Sequence, residues 1–386
     1  MLAPDKKKDD PSRSALLLLF FLSILHSSAG IGCHEHQQKF RIEMGGGMSS
    51  AQESHHHLHY RHPFKKVFVT GAAKEAKKFL TSIVGNSYLV ASLFPSYSII
   101  MYVDDDENLE VLSDWSSVDN SVTIIKGDYS SVQIHPNPEG FPFGASGRTD
   151  RLAHARNTLV SEVRNQVEKV KLEAKEVIMV MIDLDDRTEH VLDTGELKVM
   201  LRQFPLWDVL SFNRPEYYDT WALRYLENPM NAYSFKLFKD GRQHDKVPEV
   251  KQAISTDLGK IIQTLEPPLL PVASAFNSIA LYKLNHTTDC NYSGWDSTDK
   301  PEGWPECEHV PFHTCMVKTH NTRVRIDPFF AFRGLKWDEC AASGKELWEG
   351  MRPINTKGGF LCSNSSNKQH PQFKDCSKEQ KFLLRG

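Results

Sequence analysis

The stretch EVIMVMIDLDD, Glu176 to Asp186, decides how the rest of the chain is read. Val177 to Ile182 is a continuous apolar run, the pattern of a parallel β-strand covered on both faces. It stops abruptly at Asp183-Leu184-Asp185-Asp186. Extended backbone sends side chains 183 and 185 to the same side, and a turn beginning there brings a third acid near. Convergent carboxylates repel one another unless a cation neutralises them. Magnesium or manganese, which prefer hard oxygen ligands, answer that need, with Asp183 and Asp185 as the metal ligands. The alternative is a pair of solvated strand-end acids.

Working outward, the flanking segments alternate between strand and helix patterns. KKVFVTG reads as a strand over Val67–Thr70, and KEAKKFLTSIVGNSYLVASLF carries helical spacing through Ala76, Phe79, Leu80 and Ile83. SYSIIMYVDD is a second strand, closed by the acids Asp104, Asp105, Asp106 and Glu107 and followed by a loop. NSVTIIKGD is a third strand, and residues 148–174 form a long basic helix leading into the apolar strand. Strands separated by helices predict α/β layers, with a Rossmann-type, mostly parallel sheet and ligands at the carboxyl ends of its strands. Beyond residue 187 the alternation loosens. DTWALRYLENP reads as a helix, NAYSFKLF as a strand and PVASAFNSIALYKL as one β-rich run, ahead of a cysteine-rich C-terminal elaboration.

The chain's 386 residues suffice for one large α/β domain or two modest ones. Lysine plus arginine number 46 against 49 acids, so the net charge of -3 gives no general attraction to nucleic acid or acidic lipid. The N-terminus places Lys6, Lys7 and Lys8 before an apolar stretch from Ala15 to Leu25 broken at Ser23. Eleven residues span roughly 16 Å as a helix, short of a hydrocarbon core of about 30 Å. Residues 1–29 therefore read as a signal peptide or a short membrane anchor, and either predicts entry to the secretory pathway lumen (Golgi or endoplasmic reticulum), or secretion after cleavage. Residues 30–63, with GGGMSS and five histidines between His55 and His62, read as a flexible stem. Residues 64–335 are the expected catalytic domain and 336–386 a cysteine-containing extension. Cys290, Cys307, Cys315, Cys340, Cys362 and Cys376 suggest disulfides in that compartment, with fifteen pairings that spacing cannot rank. Asn285, Asn291 and Asn364 begin glycosylation tripeptides.

The order VFVTG, helix, SIIMYVDDD, VTIIKGD, the helix with RTDRLAHARNTL, then VIMVMIDLDD resembles the nucleotide-sugar-dependent glycosyltransferases of the GT-A fold. The basic helix is similar to the R…ARN…L element of fungal capsule-type mannosyltransferases and related microbial enzymes. CEHVPFHTCM and RVRIDP resemble acceptor-side segments of related eukaryotic and viral enzymes. The resemblance covers roughly residues 65–330 and implies a DxD motif holding Mn2+ or Mg2+ against the diphosphate of a GDP- or UDP-linked sugar. On it, Asp185 is the direct metal ligand, while Asp183 touches ribose or metal. Thr70 meets the nucleoside, Asp104 or Asp105 the base, and Arg148, Arg151 and Arg156 the diphosphate.

On the acceptor side, Glu308 and His309 are the expected catalytic pair, with His313 four residues on and Asp257 and Asp296 as lesser bases. Helix or strand geometry decides whether His309 and His313 share a face. Trp295 and Trp304 are candidates for stacking on a sugar or for anchoring the loop. The implied activity is sugar transfer to a glycan, glycoprotein or glycolipid. The rival readings are a secreted carbohydrate-binding protein and a metal-dependent nucleotidyltransferase or phosphohydrolase. No serine-hydrolase G-x-S-x-G and no Walker A pattern occurs.

Overall fold

A computed structural model describes residues 62–73, 76–137, 147–214, 217–226, 247–264, 268–296 and 303–336. The expected signal or anchor, most of the stem, the strand NAYSFKLF, and Cys33, Cys340, Cys362, Cys376 and Asn364 lie outside them. The first half follows the sequence reading closely: β1 (Lys66–Ala73), α1 (Ala76–Ala91), β2 (Tyr97–Val103), α2 (Asp106–Val118), β3 (Val122–Lys126), α3 (Arg148–Lys169) and β4 (Val177–Ile182). Two details differ. β1 runs three residues past Thr70, and a helix, α2, replaces the loop expected after the second strand. Asp105 initiates α2 by accepting from Asn108 N at 2.7 Å, and the fully buried Trp115 anchors it.

The second half contains β5 (His190–Leu192), α4 (Thr194–Arg202), β6 (Val209–Asn213), α5 (Val247–Thr264), β7 (Leu270–Val272), β8 (Ile279–Lys283), the short strands β9 (Trp295–Asp296) and β10 (Trp304–Pro305), α6 (His309–His320), β11 (Val324–Phe330) and β12 (Phe332–Lys336). Residues 219–226, read as helix, form turns and a bridge instead. Arg224 pairs its backbone with Ser274 and its guanidinium with Glu306 at 2.8 Å, which holds the segment open.

Among the described residues, eight strands form the central sheet in the order β3-β2-β1-β4-β8-β6-β11-β7. The four on the β3 side are parallel, as expected. Beyond β4 the sheet is mixed, which refines the mostly parallel expectation: β6 and β11 are parallel, but β8 runs antiparallel to both β4 and β6, and β7 antiparallel to β11. The small-residue stretch between β7 and β8 is the cause. It ends at Ser278 with φ 82, and the chain enters β8 from the rim where β4 ends, Ile279 pairing with Ile182.

Both sheet faces are covered. One core packs α1, α2 and α4 on Val67, Val69, Ile99, Ile178 and Val180; the other packs α3, α5 and α6 on Phe68, Ile100, Val177 and Met179. All six β4 residues are buried, consistent with the apolar run, and each such side chain contributes about 1.5–3 kcal/mol. The carboxyl ends of β1, β2, β3, β4, β6 and β11 share one rim, joined there by the start of β8. Near the opposite end a disulfide joins Cys290 to Cys315, while Cys307 is a buried free thiol.

Candidate active site

Three patches line this rim. The central one begins where β4 ends. Asp183 N donates to Ser278 O at 2.8 Å, and Thr188 Oγ1 donates to Asp183 O at 2.6 Å, so the backbone is pinned on both sides. Gly71 of β1 lies so near that a Cβ there would stand 2.6 Å from Ile182 O. The Asp183 carboxylate accepts from Arg156 Nη2 at 3.1 Å and from Tyr218 OH at 2.8 Å. Burial pushes its pKa up to about 7, and the negative charge of Asp185 adds to this against the pull of Arg156. Asp185 is half-buried and accepts from Arg187 N at 2.9 Å.

Arg156 is the hub. Projecting from the buried face of α3, it bonds Asp183 through Nη2 and lies 2.5 Å from Glu308 Oε1 through Nη1, which also contacts His309 Nε2. Its guanidinium lies over the Phe276 ring, 4.9 Å from the centroid. Burial opposes the charge, but Glu308 and Asp183 more than restore it and raise its pKa. The expected metal and acceptor acids are thus joined through one cation.

His309 and His313 sit one turn apart on α6 and share a face, their ring centroids 5.7 Å apart. Both lie below the mouth. His309 is 1% exposed and stacks on Phe276 at 3.8 Å; burial and Arg156 hold it far below the usual imidazole range. His313 bonds Ser274 and Tyr282, and burial lowers it to about 3. Both rings are buried, and burial favours their uncharged form.

Toward β3 the rim carries Asp104, Tyr129, His154 and Arg151. Asp104 is exposed and accepts from Tyr129 OH at 3.4 Å; Tyr129 meets the rings of Tyr102 and His154 and the Arg151 guanidinium. Asp105 has both carboxylate oxygens on Asn108 as the α2 cap. Thr70 lies mid-strand, fully buried, with its hydroxyl on Val180 O at 3.0 Å, so no group outside the sheet reaches it. Arg148, at the exposed start of α3, reaches the centre electrostatically through Asp219.

The far patch, toward β6, holds residues that sequence reading missed. Tyr218 and Arg214 come from a segment given no element in the sequence, while Asp219 opens the stretch read as helix and Ser278 lies in the run read as β-rich. Asp219 Oδ1 accepts from Ala222 N at 3.1 Å, while Oδ2 takes no hydrogen bond among the described residues. Burial pushes Asp219 to about 7, the bond from Ala222 opposing and Glu308 reinforcing the shift. Trp304 is buried in the β9–β10 pair and Trp295 stacks on His135 at 4.4 Å, so both anchor the loop. Asp257 lies on α5 beside Lys260 and Tyr225.

Asp183 and Asp185 suit a hard divalent cation, since each supplies carboxylate oxygen and their mutual repulsion is what such an ion relieves. Among the described residues no three histidine, cysteine or acidic side chains converge as a metal cage. A cation held here would draw its other ligands from water or substrate phosphate, the usual habit of magnesium.

No family model and no curated protein matches the chain. Solved structures resemble it distantly. The S. aureus TarS 1–349 crystal structure aligns at 12% identity over 74% of this chain and 62% of that one, with TM-score 0.34. The mannosyltransferase PcManGT from Pyrobaculum calidifontis, in complex with GDP-Man and Mn2+, aligns at 10% identity over 97% and 81%, with TM-score 0.35. Glucosyl-3-phosphoglycerate synthase from Mycobacterium tuberculosis, with Mg2+ and UDP, aligns at 11% identity over 74% and 77%, with TM-score 0.31. The chain thus spans about three fifths of the TarS structure. At such distances the likeness assigns no residue a role.

Proposed function

We propose that the chain is a metal-dependent glycosyltransferase moving a sugar from a GDP- or UDP-linked donor to a glycan, glycoprotein or glycolipid acceptor. The observation that carries this reading is the Arg156 guanidinium, paired on one side with the strand-end acid Asp183 and on the other with Glu308. Asp104 and the Tyr129 patch receive the nucleoside. Arg148 faces the diphosphate from the start of α3, with Arg151 beside Tyr129 at the nucleoside end. Asp183 and Asp185 hold Mn2+ or Mg2+, which when bound supplies positive charge against the leaving diphosphate.

Asp219 is the better proton acceptor for the acceptor hydroxyl. Glu308 is engaged by Arg156 at 2.5 Å, whereas Asp219 keeps Oδ2 free of hydrogen bonds among the described residues and ionises near neutrality. The hydroxyl proton passes to that oxygen as the new glycosidic bond forms and the bond between the sugar's anomeric carbon and the diphosphate breaks, the nucleoside diphosphate departing as the leaving group. Glu308 and His309 position Arg156. We further propose that residues 64–335 are the catalytic domain, reached through a stem from a signal or anchor segment. The Cys290–Cys315 bridge supports an oxidising lumen. The test is a nucleotide-sugar screen with the full chain and manganese, read by nucleotide release and product analysis. Glycan binding indifferent to nucleotide would replace this reading with a carbohydrate-binding protein; phosphate turnover without sugar transfer would replace it with a phosphohydrolase.

A further inference from the structure

Beside the acids, on the side away from β1, two arginines gather on one tyrosine. The Arg187 guanidinium lies 4.9 Å and the Arg214 guanidinium 5.8 Å from the Tyr218 ring centroid. Arg214 is also held against the Phe332 ring at 5.2 Å, and its Nη1 donates to Arg187 O at 2.5 Å and to Ser278 Oγ. Two rings and two neutral oxygens therefore fix its orientation, while no carboxylate is bonded to it among the described residues. The charge of Arg187 acts against that of Arg214, and Asp183 and Asp185 lie near enough to offset it. A cation on those two acids would remove that offset from Arg214.

We propose that Arg187, Tyr218 and Arg214 form an anion subsite that takes a phosphate or carboxylate group carried by the acceptor. Position sets it apart from the nucleoside patch. That patch lies at the ends of β2 and β3, whereas Arg214 follows β6 on the other side of the acids, two strands from β4 or about 10 Å from that strand at ordinary strand spacing. A planar guanidinium fixed by rings suits the two-oxygen edge of such a group, and Tyr218 ties the subsite to Asp183 through its hydroxyl. The inference rests on the glycosyltransferase reading, since it names the acceptor class for that same mouth.

Calorimetry of the full chain with methyl phosphate, and separately with acetate, tests it, each with and without saturating nucleoside diphosphate and Mn2+. Methyl phosphate or acetate should still bind when the nucleotide is in place. Arg214→Gln should weaken that binding about tenfold, or about 1.4 kcal/mol, while leaving nucleoside diphosphate affinity unchanged. Arg187→Gln, at an exposed position, should weaken it in the same direction without risk to the fold. Binding of neither anion, loss of anion binding once nucleotide is bound, or parental affinity in both variants would overturn the subsite. The second of these would hand the arginines to the donor diphosphate. Arginine-dependent anion binding by a chain that binds no nucleotide would instead leave the subsite and sink the glycosyltransferase reading.

Discussion

Two acidic strand ends share the rim of the sheet, and their environments are opposite. After β2, Asp104, Asp105 and Asp106 are exposed; Asp105 caps α2, and Asp106 meets Lys126 at 2.7 Å in solvent. After β4, Asp183 is embedded between Arg156, Tyr218 and the Ser278 carbonyl. Placement causes the difference. β2 is one strand from the edge and a helix starts at once from its end, whereas β4 is flanked by β1 and β8 and overlooked by α3. Local composition is thus a poor guide to the energy of a carboxylate. Its neighbours across the sheet decide whether it is a surface charge or a strained one.

Removing Arg156 should show the contrast most strongly. Arg156→Met leaves Asp183 and Glu308 without their shared cation, and breaking a buried ion pair from one side costs about 3–5 kcal/mol. Chemical denaturation should report that loss; a change no larger than that of Lys126→Met would dissolve the distinction between the two acid clusters. Next in size is Asp185→Ala, which should cut turnover by about 10²–10³-fold with little change in melting temperature. Asp104→Ala should instead raise KM for the donor and leave kcat near parental. Equal turnover in Asp185→Ala and the parent chain would remove the metal assignment.

The embedded acids should also make the protein pH-sensitive in a way the exposed ones do not. Asp183 and Asp219 both ionise near 7, well above the carboxylate value in an unfolded chain. A raised folded pKa means the charged form opposes folding: stability is full below about 4 and falls as pH rises through 7. Activity should run the other way. With Asp219 as proton acceptor, log kcat/KM should climb about one unit per pH unit below 7 and level off above it. Because the two carboxylates share neighbours, the profile belongs to the pair. Asp219→Asn should abolish the rise and lessen the loss of melting temperature between pH 5 and 8. If Glu308→Gln removes the activity profile and Asp219→Asn leaves it, the proton goes to Glu308.

The parallel half of the sheet was legible because its elements are local patterns: the apolar run of β4, the 3.6-residue spacing of α1 and the basic face of α3. Asp183, Asp185 and Arg156 could be singled out as candidates for the same reason, standing at an element's end or face. Tyr218, Asp219 and Arg214 were not. Tyr218 and Arg214 draw contacts from distant parts of the chain, as with Tyr218 on Asp183 and Arg214 on Ser278, and Asp219 opens a stretch whose spacing pointed to a helix. The first strand was read as stopping at Thr70, whereas Gly71 continues β1 and serves close approach to β4. The helix expected at 219–226 failed for a related reason. Its apolar spacing was real, but the Arg224 contacts with Ser274 and Glu306 lie 50 and 82 residues downstream.

The smallest expected effect is the sharpest test of that lesson. Asp105 stands in an acidic run that the glycosyltransferase resemblance assigns to the nucleotide base, yet both its oxygens face Asn108 in the first turn of α2. Losing an N-cap costs about 0.5–2 kcal/mol, so Asp105→Ala should lower stability by that amount. Asp105→Ser, which can still accept from Asn108 N, should recover most of the loss. Donor affinity should be unchanged in Asp105→Ser and should weaken measurably in Asp104→Ala, whose carboxylate is held by Tyr129 beside the aromatic patch. Adjacent residues of the same type would then divide cleanly between helix initiation and ligand recognition. A donor affinity that falls alike in all three variants would mean that the whole acidic run meets the nucleotide, and the contrast between the two strand ends would be one of degree.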